Sequence, residues 1–157
     1  MIVKIEFKGK TKLGSLLSHL AYTPFVVDTC YTSSFEGFRQ GLRFQADDNN
    51  RGAAFGNFGR ESRKLALKCV APTMFSFRGK LYMWGSQEHY DLLVAALRKK
   101  LELGTIREEL AALPADTEFE FTVPDRKDDV LKNEHYLSVL REYVGKSVSE
   151  GVEIEQP

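Results

Sequence analysis

The segment SSFEGFRQGLRF, residues 33–44, carries two glycines and one carboxylate in a pattern that otherwise predicts a helix. Each glycine in a helix interior costs about 1 kcal/mol relative to alanine. One stripe of this helix is apolar and consists of Phe35, Phe38 and Leu42. Another face forms a polar row, which consists of Glu36, Gln40 and Arg43. Any fold built on this segment has to accommodate both the glycines and the polar row.

The two glycines, Gly37 and Gly41, lie next to each other beside the polar row. A helix flank without Cβ atoms lets another group approach the backbone closely. That group is either a neighbouring helix or a ligand, and the spacing leaves both explanations open. In the ligand interpretation, the glycines flank the floor of a pocket.

Glu36 also has two interpretations. Ser33 and Glu36 have the spacing of a capping box, in which the carboxylate only holds the start of the helix. The polar row would then be a solvated surface row, and the spacing alone favours this interpretation. The alternative is that Glu36 is the carboxylate of a functional site.

The rest of the chain predicts short strands and helices that do not alternate regularly. Strands are predicted at 3–7, 24–31 and 117–123, with a hairpin at 74–84. Helices are predicted at 61–70, 88–103, 105–113 and 129–144. Residues 45–59 are predicted as a polar, glycine-rich loop, with a short helical turn inside it as the alternative. Gly104 is expected to end one helix, and Thr105 with Glu108 to cap the next. The pattern predicts an α+β, helix-rich single domain over 1–145, followed by a flexible acidic tail at 146–157.

Composition narrows the classes of protein that this chain can represent. Its 157 residues carry 22 basic and 22 acidic side chains, so there is no global attraction to nucleic acid or anionic membranes. The N-terminus lacks the apolar core of a signal peptide, and no apolar run is long enough to span a membrane. The two cysteines and three scattered histidines have neither disulfide nor metal-ligand spacing. We therefore expect a cytoplasmic protein without a metal, a cofactor or a membrane partner.

Residues 17–44 resemble the opening signature of the NADAR family. The matching elements are Leu17-Ser18, Pro24-Phe25, Ser34 with Glu36, Gln40, and Arg43-Phe44. Weaker similarity continues at Gly59-Arg60, Lys64 and Lys100-Leu101. The resemblance implies a mixed, helix-rich single domain of the NADAR type. It also implies N-glycosidase activity on ribosyl compounds, such as early riboflavin-pathway intermediates or ADP-ribose attached to guanine, with Glu36 and Arg43 in the active-site region.

Three features differ from the family pattern. Gly37 stands where the family has a histidine, and Arg43 stands where it has a lysine. A tryptophan-glycine motif near the family's C-terminus has no counterpart, and VPDRKDDVLKN, residues 123–133, occupies that region. If the glycines flank a standard site, Gly37→His should be tolerated.

The chemistry of N-glycoside cleavage assigns roles to the candidate residues. A carboxylate stabilises positive charge at the anomeric carbon or activates water, forked cations hold phosphate, and an aromatic wall stacks on the base. The predicted catalytic residues are Glu36 and Arg43. The predicted substrate-binding residues are Ser34, Gly37, Arg39, Gln40, Arg60 and Trp84. The expected partner is a small ribosyl or nucleotide-like substrate, or ADP-ribosylated nucleic acid.

Two functions from different classes remain open at this stage. The first is a hydrolase that cleaves an N-glycosidic bond and uses Glu36 as its essential carboxylate. The alternative is a catalytically silent module of the same fold that binds a nucleotide, an ADP-ribose-like ligand or a protein. Turnover distinguishes the first from the second.

Overall fold

The computed structural model describes residues 1–67 and 69–146, and this part of the chain forms seven helices and six short strands. In chain order these are β1 (Ile2–Ile5), α1 (Lys12–Leu17), β2 (Phe25–Val27), β3 (Cys30–Thr32), α2 (Phe35–Gly41), α3 (Asn49–Phe55), α4 (Gly59–Ala66), β4 (Met74–Phe77), β5 (Lys80–Met83), α5 (Gln87–Leu101), α6 (Gly104–Ala111), β6 (Glu118–Phe121) and α7 (Asn133–Arg141). The predicted α+β, helix-rich fold is confirmed.

The strands form three separate pairs. β1 and β6 pair in parallel, with Val3 opposite Phe119, so the N-terminal strand pairs with the last strand of the described chain. β2 with β3 and β4 with β5 are antiparallel hairpins. The predicted hairpin at 74–84 and the predicted strand at 117–123 are therefore confirmed.

The single strand predicted at 24–31 is wrong, because this segment folds back on itself as the β2–β3 hairpin. Asp28 and Thr29 turn the chain with φ angles of 45° and 65°. Positive φ at both central positions is typical of the tight turns that join antiparallel strands, where glycine or asparagine is usual. Neither residue of this turn is glycine, so the sequence lacked the usual turn signal.

Three helix boundaries also differ from the prediction. α3 lies inside the predicted loop at 45–59, where the Asp48 side chain accepts a hydrogen bond from the Asn50 backbone. Gly104 begins α6 instead of ending α5, so Thr105 is already inside the helix and the predicted capping box is wrong. α7 begins at Asn133, four residues beyond its predicted start. Residues 147–157 of the predicted tail lie outside the described residues.

The centre of the core is α2. Its apolar stripe, Phe35, Phe38 and Leu42, is completely buried, as the sequence predicts. α2 contacts α3, α4 and α5. The Phe38 ring stacks on Phe55 of α3 at a centroid distance of 5.6 Å and meets Phe77 of β4 edge-on at 5.5 Å. Aromatic packing thus joins the helices to the β4–β5 hairpin.

The glycines of α2 allow this close packing. A Cβ atom on Gly37 would lie 2.5 Å from the carbonyl oxygen of Ala54 and 2.6 Å from that of Asn57. A Cβ on Gly41 would lie 2.5 Å from the Phe55 ring. The space beside both glycines is therefore filled by α3 and the residues that follow it. The helix-packing explanation holds, and the prediction that the glycines flank a pocket floor is wrong.

One charged side chain of the core has a single hydrogen-bond partner. Lys100 of α5 is fully buried, and its Nζ donates to the Ser18 carbonyl at 2.6 Å. Burial lowers the pKa of Lys100 to about 7. The native state therefore releases the Lys100 proton near pH 7, whereas the unfolded chain keeps it up to the ordinary, higher pKa of lysine.

We expect Gly37→Ala to lower the free energy of unfolding by about 2 kcal/mol, because the strain of overpacking exceeds the gain in helix propensity. Gly52→Ala is the matched control, since Gly52 lies in α3 with no atom within 4 Å of its added Cβ. That substitution should stabilise the protein by about 0.5–1 kcal/mol. Urea titration measures both values, and a neutral Gly37→Ala would contradict the packing explanation.

Lys100 should make stability rise with pH between about 7 and 9. In this window the unfolded state binds more protons than the native state, so the free energy of unfolding should increase by about 2 kcal/mol. Lys100→Met should remove this increase, whereas Lys99→Met, an exposed neighbour, should retain it. Denaturation at several pH values tests the difference, and identical pH profiles for the two variants would contradict it.

Candidate functional site

The polar row of α2 is buried in the protein. Glu36 has no exposed surface, and Gln40 and Arg43 are 1% and 5% exposed. The spacing favours the prediction that this row lies on the solvated surface, and that prediction is therefore wrong. α2 is covered on its polar side by the loop between β6 and α7, residues 122–132, which we call the covering loop.

The start of α2 is capped without the help of Glu36. Ser34 is the N-cap, and its Oγ accepts a hydrogen bond from the Gly37 backbone at 2.8 Å. The same hydroxyl donates to the Asn57 carbonyl at 2.8 Å. The predicted capping box between Ser33 and Glu36 is therefore wrong, and the Glu36 carboxylate is available for other partners.

Those partners are two cations and one amide. Arg39 Nε donates to Glu36 Oε1 at 2.6 Å, and Gln40 Nε2 donates to Oε2 at 3.2 Å. Arg63 Nε of α4 lies 3.7 Å from Oε2. Burial alone would raise the pKa of Glu36, but the attraction of Arg39, together with that of Arg63 and Arg126, outweighs it and lowers the pKa. The carboxylate is consequently ionised at neutral pH.

The polar row continues through Gln40 to Arg43. Arg43 Nε donates to Gln40 Oε1, so the amide of Gln40 links the guanidinium to the Glu36 carboxylate. The Arg43 guanidinium also lies over the Trp84 ring, 5.3 Å from its centroid. Burial, hydrogen bonding and ring stacking together fix the orientation of Arg43.

Two aspartates of the covering loop pair with Arg39 of α2 and with Arg43, which follows the C-cap of this helix. Asp128 Oδ2 lies 2.7 Å from Arg43 Nη2, and Asp129 Oδ1 lies 3.8 Å from Arg39 Nη1. The second oxygen of Asp129 accepts from the Arg126 backbone at 2.8 Å, which holds the loop's own turn. The covering loop thus balances the charge of the helix that it covers.

Two cavities lie on the Arg63 side of this network. The larger, of about 470 Å³, is lined by four cations, by one carboxylate, Glu6, and otherwise mainly by apolar side chains, and we call it the basic groove. Its cations are Arg60, Arg63, Lys64 and Arg126. A smaller connecting cavity shares Arg63 and Phe7 with the groove and reaches His19 and Arg39. The immediate neighbours of Glu36 therefore line a space that adjoins the basic groove.

His19 is a member of this site that the sequence did not single out. Its ring lies between Phe35 and Tyr136, with centroid distances of 5.0 and 4.8 Å. Nδ1 is buried and has no hydrogen-bond partner among the described residues. Burial, reinforced by Arg39 and Lys100, lowers the pKa of His19 well below its usual value, so the imidazole is neutral.

A third space, the inner cavity, lies on the Arg43 side. It is lined by Arg43, Trp84, His89 and Asp128, together with the ion pair of Arg39 and Asp129. His89 was also missed in the sequence, where only its position near the start of a predicted helix was visible. Its neighbour in space, Trp84, was predicted as an aromatic wall and does line a cavity.

The predicted site residues fall into three groups in the structure. Glu36, Arg39, Gln40, Arg43 and Trp84 form one continuous network. Arg60 lies apart from them on the basic groove. Ser34 and Gly37 face α3 and its C-terminal end, where they hold the helix start. The additional members of the site are His19, Arg63, His89, Asp128 and Asp129.

The described residues contain neither a candidate membrane-spanning helix nor a cluster of metal-ligating side chains. No helix among residues 1–67 and 69–146 is long and apolar enough to cross a membrane. In the same residues, no three His, Cys, Asp or Glu side chains lie together as metal ligands would.

The elements described above form a NADAR-like fold. The chain is similar to the E. coli protein YbiA, a NADAR family protein whose structure was determined by NMR. The two structures agree with a TM-score of 0.62 at 15% sequence identity, over 99% of this chain and 89% of that chain. At this identity the likeness shows the fold alone. No protein-family model and no curated protein sequence matches the chain.

Glu36→Gln should lower the free energy of unfolding by about 3 kcal/mol, because it leaves the buried Arg39 without its closest anion. Glu61→Gln is the matched control. It removes a carboxylate with the same i, i+3 spacing to a cation, but that pair with Lys64 is exposed. The control should change stability by less than about 0.5 kcal/mol. Equal effects in chemical denaturation would show that the buried pair does not stabilise the fold.

Proposed function

We propose that this protein hydrolyses the N-glycosidic bond of a ribosyl or ADP-ribosyl nucleotide-like substrate, with Glu36 as the essential carboxylate. The observation that carries the proposal is a fully buried, ionised Glu36 whose neighbours His19, Arg39 and Arg63 line a cavity adjoining the basic groove. Clustered charges with shifted pKa values next to a cavity are typical of catalytic sites. The NADAR-like fold agrees with this proposal.

The reaction requires a carboxylate at this position. When the bond between the anomeric carbon and the base nitrogen breaks, the electron pair leaves with the base and the sugar becomes cationic. Water then adds to the anomeric carbon, and one of its protons is released. A fixed anion lowers the energy of the cationic transition state most effectively in a site that excludes bulk water.

The basic groove fits the phosphate end of such a substrate. Arg60, Arg63 and Arg126 offer forked donors, and Lys64 adds a fourth positive charge. Arg63 contacts Glu36 only at 3.7 Å, which is longer than a hydrogen bond. A bound phosphate attracts Arg63 away from Glu36. Phosphate binding in this way would leave Oε2 with its hydrogen bond from Gln40 alone, and its free side would face the reacting sugar.

Gln40 and Arg43 support Glu36 from the opposite side. The amide of Gln40 donates to Oε2 and accepts from Arg43, so the pair holds the carboxylate in one orientation. In this proposal Arg43 is a positioning residue rather than a contact for the reacting atoms. The expected location is the cytoplasm, with which the free thiols Cys30 and Cys69 agree.

A second candidate function is a catalytically silent module that binds the same class of ligand. The enclosure of Glu36 favours it, since the carboxylate has no exposed surface and already pairs with Arg39 at 2.6 Å. Such a module would retain the basic groove and bind a free nucleotide, ADP-ribose or ADP-ribosylated nucleic acid without cleaving it.

The deciding measurement is release of free base from a panel of N-ribosyl substrates, separated by chromatography. The panel contains ADP-ribosylated guanine in DNA, a riboflavin-pathway aminopyrimidine riboside and NAD. We expect the parent protein to release base from at least one member, and Glu36→Gln to reduce that rate by about 100-fold or more. Asp91→Asn, which changes an exposed carboxylate outside the linings of the cavities described above, should retain the parental rate.

The Arg63→Met variant tests whether the basic groove binds the substrate. It should weaken substrate binding and leave Glu36 in place, so the Michaelis constant should rise more than the turnover number falls. Circular dichroism confirms that each variant is folded. Saturable binding by the parent protein without any base release would contradict the hydrolase proposal and support the silent binding module.

A further inference from the structure

The inner cavity contains two buried donors that have no acceptor. His89 is 1% exposed, and the Gly85 backbone donates to its Nδ1 at 3.0 Å. The proton of the neutral ring is therefore on Nε2. Both His89 Nε2 and Trp84 Nε1 are buried and lack hydrogen-bond partners among the described residues. Buried N–H groups almost always have an acceptor, so this pair indicates a missing one.

Asp128 closes the cavity from the solvent side. Its carboxylate pairs with Arg43 Nη2 at 2.7 Å, and 40% of the Asp128 side chain is exposed. The space behind it is only about 10 Å³, which is enough for one water molecule. A larger molecule that binds Arg43 Nη2 has to replace Asp128 there.

An open groove lies in front of Asp128. This outer groove has a volume of about 550 Å³ and shares Trp84 and Asp128 with the inner cavity. Lys127, Lys132 and Asp129 also line it. The two lysines would attract an anion, and the charge of Asp129 is balanced by Arg39. Displacement of Asp128 would join the outer groove to the three donors of Arg43, Trp84 and His89.

We propose that the inner cavity is a binding site for a small carboxylate ligand, and that Asp128 occupies it as an internal substitute. The incoming carboxylate would replace Asp128 on Arg43 Nη2 and present its second oxygen to the N–H groups of His89 and Trp84. The site is separate from the basic groove and does not depend on the proposed hydrolase activity.

The remaining contacts of Arg43 explain why a carboxylate fits better than a phosphate. Nε of Arg43 already donates to Gln40, and Nη1 lies 3.4 Å from the Cys69 carbonyl that accepts from it. Only Nη2 is exchanged when Asp128 leaves. One guanidinium N–H and two ring N–H groups suit the two oxygens of a carboxylate, whereas a phosphate dianion would bring more acceptors than the site can pair.

Trp84 reports on this site directly because it is the single tryptophan of the chain. Its indole N–H gives one signal in a ¹H–¹⁵N spectrum, which can be followed while sodium acetate replaces sodium chloride at constant ionic strength and pH 7. We expect a saturable shift of that signal. Asp128→Asn should tighten acetate binding by about tenfold, since it removes the internal competitor. Asp47→Asn is the control for the same change in charge at an exposed site.

Substitutions of His89 test whether its ring N–H group donates to the bound carboxylate. His89→Phe should weaken acetate binding by about tenfold, and His89→Gln, which restores an N–H donor, should recover part of the loss. An indole signal that does not respond to acetate in either the parent or Asp128→Asn would overturn the proposal. Equal affinity for acetate and inorganic phosphate, or equal effects of Asp128→Asn and Asp47→Asn, would also overturn it.

Discussion

The buried ion pair between Glu36 and Arg39 is the interaction on which the arrangement of the surrounding elements depends. α2 is enclosed on every side, so its charges have to be neutralised within the protein. Removing a charge from water costs several kcal/mol unless partners replace the lost hydration. Gln40, Arg63 and the covering loop provide those partners. The positions of α4 and of the covering loop are in this sense fixed by one carboxylate.

The close approach of α3 is the second condition for this arrangement. Because Gly37 and Gly41 have no side chains, α3 packs directly on the α2 backbone, while the neighbouring polar row faces Arg63 of α4 and the covering loop. The glycines therefore contribute to the site indirectly. They hold the helix in an orientation that directs Glu36 toward α4 and the covering loop, although neither glycine contacts a cavity.

The sequence predicts the local structure of each segment better than it predicts which segments pack against one another. The apolar stripe of α2 follows from its spacing and is buried as expected. The burial of the polar row depends on Asp128 and Asp129, which lie some ninety residues later and carry no local signal for that contact. α3 was hidden by the glycines of the 45–59 segment. The β2–β3 turn was missed because its positive φ angles fall on Asp28 and Thr29.

Arg39 lies between the inner cavity and the connecting cavity. Its side chain lines both the inner cavity and the connecting cavity, and it also holds Glu36. A single guanidinium thus serves as a partition between two compartments, so any rotation of this group reshapes both at once. A ligand that rotated Arg39 on one side would therefore change binding on the other side, and thermodynamic linkage would make that effect equal in both directions.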